Sequence, residues 1–379
     1  MEIGIVAGEA SGDALGAGLI GAIRRRHPEA TFSGIGGPRM QAAGAVSLYP
    51  MERLSVMGLD GLAGRLSDIL RIRRALIRHF RRQPPAVFVG VDAPDFNLAV
   101  ESALRAQGIP VVHYVSPMLW AWRGWRVARL QRATDRVLVL FPFEEAYLRH
   151  RGVNVRFVGH PLGDEVDRMP RREEIRAQLG LRVESRSVAV LPGSRLAEVR
   201  RLAPVFLEAC DRLAASHPGV EFLMPLANEE TRRHVEDLVA GRAPLPLRLL
   251  AGQSREVLAA SDAGMLASGT ATLEAALLGL PSVLAYRVSR LTAALARLLV
   301  QVKYVGLPNL LAGEELMPER LLERANAREI ASVLDRYLAD ETCRRATAAR
   351  LKALRPLLGC NASEHAAAAV LERVAGAGA

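Results

Sequence analysis

The chain has 379 residues, 50% of them hydrophobic and 24% charged, which is long enough for two domains and ordinary for a folded protein. No stretch approaches the roughly 18 apolar residues of a membrane-spanning helix, and the start MEIGIVAGEASGD lacks the basic opening and longer apolar run of a secretory signal, so a cytoplasmic chain is expected. The net charge is +10 and every basic residue except Lys303 and Lys352 is arginine, a balance that favours an anionic partner: nucleic acid, a phosphate-bearing substrate or an acidic membrane surface.

In chain order, short apolar runs alternate with amphipathic stretches. IGIV, VFVGV, PVVHYV, RVLVL and VRFVG read as buried strands in the first half, and SVAVLPG, VEFLMPL, LRLL, AGMLA and PSVLAY in the second. Helical periodicity falls between them at residues 13–27, 64–82, 96–107, 197–216 and 270–279. Alternating strand and helix predicts parallel sheet. Two such series predict two doubly wound, Rossmann-like α/β domains facing across a cleft, the GT-B arrangement of glycosyltransferases and of some nucleotide-sugar epimerases. Proline, glycine and charge interrupt the pattern in FVGHPLGDEVDRMPRR, dividing residues 1–165 from 166–379, with helices from about residue 327 packing back. Cys210, Cys343 and Cys360 are far apart and show no metal-site spacing, which fits a reducing compartment.

Four turns can carry chemistry. In VAVLPGSRLAEV the amides of Gly193, Ser194 and Arg195 open a helix where an anion is favoured, and Arg195 adds a bidentate donor suited to a diphosphate; the plainer reading is a strand–helix turn with Ser194 as N-cap. LASGTATLEAALLGLP repeats the device at Ser268, Gly269 and Thr270, and Glu274, one helical turn on, can accept from the hydroxyls of a ribose. In GVDAPDFNLAV, Asp95 suits the N-cap of a helix beginning at Phe96. Asp92 is not needed for that, and the carboxyl end of a buried strand is where a general base would stand. VAGEASGDALGAGL is not a clean dinucleotide fingerprint, so Glu9, Ser11 and Gly12 are expected to line the cleft, while GIGGPRM allows close backbone approach at Gly36 and Gly37. Asn309 of GLPNLLAG is a polar group in an apolar loop. His113 and His160 follow strands and read as structural or cleft-lining residues.

Taken together, AGEASGD, GIGGPRM, LSVMG, DAPDFN, HYVSPMLWAWR, FVGHPL, LPGSR, ASGTATLE and LPNLLAG, in this order between residues 6 and 313, resemble the lipid-A-disaccharide synthase family. The resemblance implies an inverting GT-B enzyme that joins UDP-2,3-diacylglucosamine to 2,3-diacylglucosamine 1-phosphate through a β-1,6 linkage and releases UDP. It implies Asp92 as base, with Arg195 and Asn309 as further essential residues. It implies no cofactor and no metal, and a place at the inner face of the inner membrane. It also allows a homodimer that exchanges its terminal helices. No DxD motif occurs, which agrees with diphosphate stabilisation by Arg195 and helix ends.

Membrane contact has two candidate segments. WAWRGWRVARLQR holds every tryptophan, with Arg123, Arg126, Arg129 and Arg132 at every third position, suited to lipid phosphates or the acceptor's 1-phosphate. In residues 62–82, Leu62, Leu66, Ile69, Leu76 and Phe80 form an apolar stripe beside six arginines from Arg71 to Arg82, the pattern of an interfacial helix or of a core face. Two rival functions remain at this point. A UDP-sugar 2-epimerase would explain the nucleotide loops but not the basic amphipathic surface. A non-catalytic RNA-binding protein would explain the charge, but no nucleic-acid-binding signature is present.

Overall fold

Each β-branched run becomes a strand and each amphipathic stretch a helix laid against it. The structure is a computed structural model that describes residues 1–54, 62–119, 126–182, 184–288 and 303–375, with side chains in the long basic helix from Ser67 onward. In the first unit, β1 (Glu2–Ala7), β2 (Thr31–Ile35), β3 (Ala45–Ser47), β4 (Val87–Val91), β5 (Val111–Tyr114), β6 (Arg136–Val139) and β7 (Val155–Phe157) form one sheet in the order β3-β2-β1-β4-β5-β6-β7. In the second, β8 (Ser187–Leu191), β9 (Glu221–Leu226), β10 (Leu247–Ala251), β11 (Ala263–Ala267), β12 (Ser282–Tyr286) and β13 (Glu319–Leu321) follow the order β10-β9-β8-β11-β12-β13. All pairings that build the sheet centres are parallel, and β4 and β8 are buried along their whole length, as strands covered on both faces must be. The expected doubly wound α/β class is what forms, twice.

The strand orders fix where ligands can go. From β1 the chain winds through β2 and β3 to one side, then returns so that β4 pairs with β1 on the other, Ala7 opposite Val91. The second sheet repeats this at β8 and β11, with Leu266 opposite Leu191. At such a reversal the loops leaving the two central strands diverge and open a crevice at their carboxyl ends. Glu9 and Asp92 follow β1 and β4; Gly193–Arg195 and Ser268–Thr270 follow β8 and β11.

The helices that matter below are α1 (Ala10–Arg26), α2 (Pro38–Ala42), α3 (Leu62–Arg82), α4 (Pro94–Arg105), α5 (Val127–Ala133), α6 (Leu196–Ser216), α7 (Ser254–Ala260), α8 (Thr270–Leu278), α9 (Leu307–Ala312), α10 (Ala327–Ala339), α11 (Glu341–Lys352) and α12 (Ala362–Ala375). The first compact unit is Met1–Asp164 with Leu358–Ala379, and the second is Glu165–Leu357. The return to the first unit therefore begins at Leu358 and not near residue 327. Ile330, Leu334 and Tyr337 of α10 close the second core against Phe206 and Cys210 of α6, a burial that holds the helix in that unit. Of the helices after residue 327, α12 is the one that packs on α1, where Ser363 sits so close to Gly18 that a Cβ there would lie 2.6 Å from its Oγ. Asp164 secures the start of α12 by accepting from the amides of Asn361 and Ala362 at 2.8 and 3.1 Å.

Helix α3 corrects the reading of residues 62–82 as an interfacial anchor. Ile72, Leu76 and Phe80 are at most 1% exposed in the first core, Phe80 edge-on to Phe88 with ring centroids 5.5 Å apart. Burying a side chain of this size contributes about 2–3 kcal/mol, so this stretch of the stripe is committed to the fold and is not available to a bilayer. Leu62 and Leu66 lie outside the described side chains.

The glycine turn GIGGPRM also has an occupant of its own. Asp13 of α1 is 3% exposed, and its Oδ1 accepts from Gly37 and Met40 amides at 2.8 and 3.0 Å while Oδ2 accepts from Arg39 at 3.0 Å. A Cβ on Gly37 would lie 2.7 Å from that carboxylate, so the close approach the glycine permits is to Asp13. Asp13→Ala leaves these donors without their acceptor and is expected to destabilise the first unit by about 3 kcal/mol. Faster hydrogen exchange at the Gly37, Arg39 and Met40 amides would register it; unchanged exchange there would refute the capping role.

Candidate active site

Asp92 stands one residue beyond β4 at the first sheet's reversal point, half-buried, with φ +51°, and Ala93 follows at φ +44°. Val115, just past β5, has φ +80°, which is rarer still for a β-branched residue. Left-handed conformations at three non-glycine residues on adjacent strand ends store strain of order 1–3 kcal/mol each, and persist only where surrounding bonds impose them. Here the Asp92 amide donates to Tyr114 O at 2.8 Å. Asn97, fully buried on α4, donates from Nδ2 to Asp92 O at 2.8 Å and reaches Val6 O and Val91 O at 3.3 Å. The β4–α4 turn is thus tied to both central strands. Ala93 is the residue before α4, and Asp95 lies in its first turn, so Asp95 is not the N-cap; its Oδ1 receives Arg126 Nη1 at 3.2 Å instead.

The turn after β1 packs against this one. A Cβ on Gly8 would lie 2.8 Å from Ala93 Cβ, and Gly12 is buried with Val91 O 3.4 Å from where its Cβ would be. Gly12 therefore serves the approach of α1 to β4, which corrects its placement among substrate-binding residues. Glu9 and Ser11 are exposed in that turn, as is Ala10 between them.

In the second unit Gly193 has φ +125° and Ser194 and Arg195 are exposed. The residue preceding α6 is Arg195 itself, not Ser194. Glu198, in the first turn of α6, reaches back so that Oε2 accepts from Ser194 and Arg195 amides at 3.2 and 3.4 Å, and its Oε1 is 3.8 Å from Arg195 Nη1. The loop already holds an anion, at long distances, and that anion is a side chain able to swing away. The turn after β11 exposes Gly269 and Thr270, with Ser268 half-buried and its amide bonded to Ala285 O at 3.2 Å; Thr272 Oγ1 bonds back to Gly269 O at 2.7 Å. One turn on, Glu274 Oε1 accepts from Arg255 Nε and Nη2 of α7, both at 3.2 Å, and Arg255 also pairs with Glu165 at 2.6 Å. Burial raises the Glu274 carboxyl above its ordinary value, and Arg255 opposes the shift.

Asn309 corrects the expectation of a cleft-lining catalytic group. It is 0% exposed on α9, Nδ2 donates to Met317 O at 2.7 Å and to Glu319 Oε1 at 2.8 Å, and Oδ1 accepts from Leu316 and Met317 amides at 2.8 and 2.9 Å. Both donors and both lone pairs of the amide are used, so it has nothing left to offer a ligand. Its partner Glu319 also takes the Val305 and Gly306 amides, at 3.0 and 2.9 Å. Arg123 and the three tryptophans lie outside the described residues, and Arg126 sits at the start of α5.

Sequence reading did not find Asp13, Asn97, Glu101, Glu198, Arg255 or Glu319. Most are polar residues that helical periodicity assigns to a solvent face, and only the tertiary fold supplies their partners. The one available signal is spacing: Asn97 and Glu101 recur at i, i+4 on an otherwise apolar helix face. His113 lies within β5 rather than after it and is 0% exposed.

Asn309→Ala removes a four-bond tie and is expected to destabilise the second unit by about 2–4 kcal/mol and to speed exchange of the Leu316 and Met317 amides. An Asn309→Ala chain that melts like the wild type yet loses activity would restore the catalytic assignment.

Comparison with known proteins names the family. A family model described as lipid-A-disaccharide synthetase matches residues 3–372. The chain is 48% identical over 374 residues to the lipid-A-disaccharide synthase of Pseudomonas aeruginosa (strain UCBPP-PA14), covering 99% of this chain and 98% of that one. It is 48% identical over 372 residues to that of Sodalis glossinidius (strain morsitans), covering 98% and 97%. Among solved structures, the UDP-GlcNAc 2-epimerase from Neisseria meningitidis bound to UDP-GlcNAc superposes with a TM-score of 0.67 at 13% identity, over 98% of this chain and 100% of that one. The S. aureus MnaA-UDP co-structure gives 0.68 at 13%, over 96% and 94%; both likenesses concern the fold. The extent and identity of the sequence matches place this chain in the lipid-A-disaccharide synthase family.

Proposed function

We propose that Asp92 is the general base of an inverting sugar transfer. In it, the 6-hydroxyl of 2,3-diacylglucosamine 1-phosphate attacks the anomeric carbon of UDP-2,3-diacylglucosamine. As a member of its family the chain is a glycosyltransferase that forms the lipid A disaccharide. The new C–O bond forms as the bond to UDP breaks; the hydroxyl proton passes to Asp92, and the electron pair leaves on the diphosphate. The observation that carries the assignment is the strained, pinned turn that holds Asp92 at the reversal point, since backbone strain of this kind collects at reacting groups.

The donor's diphosphate falls to the loop after β8. Its oxygens would displace Glu198 from the Ser194 and Arg195 amides, and the exposed Arg195 guanidinium would neutralise the developing charge. Ser268, Gly269 and Thr270 form the second amide-bearing turn, and Glu274, oriented by Arg255, would receive the ribose hydroxyls. Glu9 and Ser11 are assigned to the acceptor.

Acylated substrates require an approach to lipid. The support is electrostatic: burial and the neighbouring Arg129 and Arg74 pull the Arg73 guanidinium below its ordinary value, so α3 and α5 bring like charges together. Anionic headgroups relieve such crowding. We assign membrane contact to this basic face, with Arg126 at the start of α5, on the inner leaflet of the inner membrane.

In a micellar transfer assay, wild type is expected to yield the disaccharide. Asp92→Ala should lower kcat by about 10²–10⁴-fold with UDP binding kept, and Arg195→Ala should lose both turnover and UDP affinity. An Asp92→Ala enzyme with near-normal turnover would remove the base assignment. On vesicles, Arg73→Gln/Arg129→Gln should weaken binding to anionic lipid by about 2 kcal/mol at low salt and leave zwitterionic vesicles unaffected; equal binding to both lipid types would move the contact elsewhere.

A further inference from the structure

The second unit holds a cavity of about 590 Å³ at the opposite end of its sheet from the turns assigned to the donor. Its walls include the residues just before three strands: Ser185 and Arg186 before β8, Ser261 and Asp262 before β11, and Leu280 and Pro281 before β12. Parallel pairing puts these three starts on one edge, so the cavity lies a full strand length from Gly193–Arg195 and Ser268–Thr270 at the carboxyl ends. Its lining carries six cations, Arg172, Arg176, Arg186, Arg344, Arg345 and Lys352, against four carboxylates.

Three of those cations are already engaged. Buried Asp262 accepts from Arg172 Nη2 on Oδ1 and from the Ser187 amide on Oδ2, both at 2.9 Å. Glu341 pairs with Arg345 at 2.6 Å. Arg176 is spent on the fold, donating to the carbonyls of Ala260, Arg182 and Ser185 at 2.8, 2.7 and 2.7 Å. The other three are not so placed. Arg186 stands between the two occupied carboxylates, 3.7 Å from Asp262 and 3.9 Å from Glu341, and its guanidinium donates no hydrogen bond among the described residues. Arg344 is 3.9 Å from the same Glu341. Lys352 is exposed, with its stem over Gly279 and no ion pair among the described residues. Glu173 and Glu184, the remaining carboxylates of the lining, are exposed and likewise pair with no cation among the described residues.

Stability does not account for this arrangement. Partly exposed pairs at such distances contribute little, while crowding carries a cost. Burial pushes the Arg344 guanidinium below its ordinary value and Arg186 adds to the effect, with Asp262 and Glu341 opposing. Helix α11 brings Glu341, Arg345, Ala348 and Lys352 to the cavity at the spacing of one helix face, and the small Ala348 separates the two cations. The volume is that of a small-molecule site, and Leu278 and Pro281 add apolar wall beside the charges.

We propose that this cavity is a second anion site, in which Arg186, Arg344 and Lys352 take the phosphate groups of a small phosphate-bearing ligand. Guanidinium groups fork onto phosphate oxygens, and the ammonium adds a compact charge. The site depends neither on Asp92 nor on the donor turns.

Inorganic pyrophosphate is the probe, titrated by calorimetry into the full chain in detergent with saturating UDP present. Wild type is expected to bind it beside UDP. Arg186→Gln/Lys352→Gln should weaken that binding by about tenfold or more, with the melting temperature and the turnover of the micellar transfer assay held near those of wild type. Glu341→Gln removes a negative charge from the cavity and should tighten the site several-fold. Absence of pyrophosphate binding beside UDP overturns the proposal, as does equal affinity in wild type and the double variant, or a Glu341→Gln site no tighter than wild type. Should the double variant fail to fold, exposed Lys352→Gln alone carries the same comparison. Where pyrophosphate binds as expected, phosphatidic acid in the same micelles identifies the source of the phosphate. Competition assigns the site to a lipid headgroup, its absence assigns the site to a soluble phosphate, and the site stands in both cases.

Discussion

A helix that begins inside a folded chain exposes amides with no partner of their own, and each must meet an acceptor. In this chain the acceptors are carboxylates brought from elsewhere. Asp13 closes the start of α2, Asp164 the start of α12, and Glu198 the turn into α6. The first two accept at ordinary hydrogen-bond distances, and Asp13 is buried as well. Glu198 is partly exposed and holds its amides at 3.2 and 3.4 Å. The three sites share one chemistry and differ in how firmly the internal anion is held. That difference is what the proposed diphosphate role of the Glu198 turn rests on, because an incoming anion can compete only where the resident carboxylate is loosely held.

The same consideration explains what could be read from the residues alone. A glycine-rich turn before a helix signals a place where an anion is wanted, without saying whose. GIGGPRM and LPGSR look alike as sequences; Asp13, two dozen positions from its partners, occupies one, and the other is left weakly filled. The long strands and the reversal points were legible because β-branched runs and alternating helices leave few alternative topologies. The short strands β2, β3 and β13 were not. TFSGI and AVS carry too little apolar pattern, and ERL is held by pairing with β12. Asn309 was found for its unusual polarity in an apolar loop, and that polarity turned out to be spent on four internal bonds.

Amphipathic helices pose a related ambiguity. The period that lays Ile72, Leu76 and Phe80 into the core is the period of an interfacial anchor, and composition cannot distinguish them. The arginines do carry information, since a core-facing stripe says nothing about the opposite side. Arg73 pressed towards Arg129 is a feature the fold keeps despite its electrostatic cost. A surface that lies on charged headgroups needs no apolar stripe, so the proposed lipid contact falls to a face of α3 other than the one buried in the core.

Holding Asp92 on a strained turn requires control of the backbone, and α4 supplies it while reaching the buried imidazole from the same face. Asn97 and Glu101 stand four residues apart, one bonding three carbonyls at the strand ends and the other gripping the imidazole one layer down. Because Gly90 leaves room for Glu101 and Val115 is held left-handed beside His113, the sheet here is shaped around its buried charges rather than around apolar packing. An apolar core at this place would fold as well or better. The polar layer is therefore best understood as part of the turn it supports.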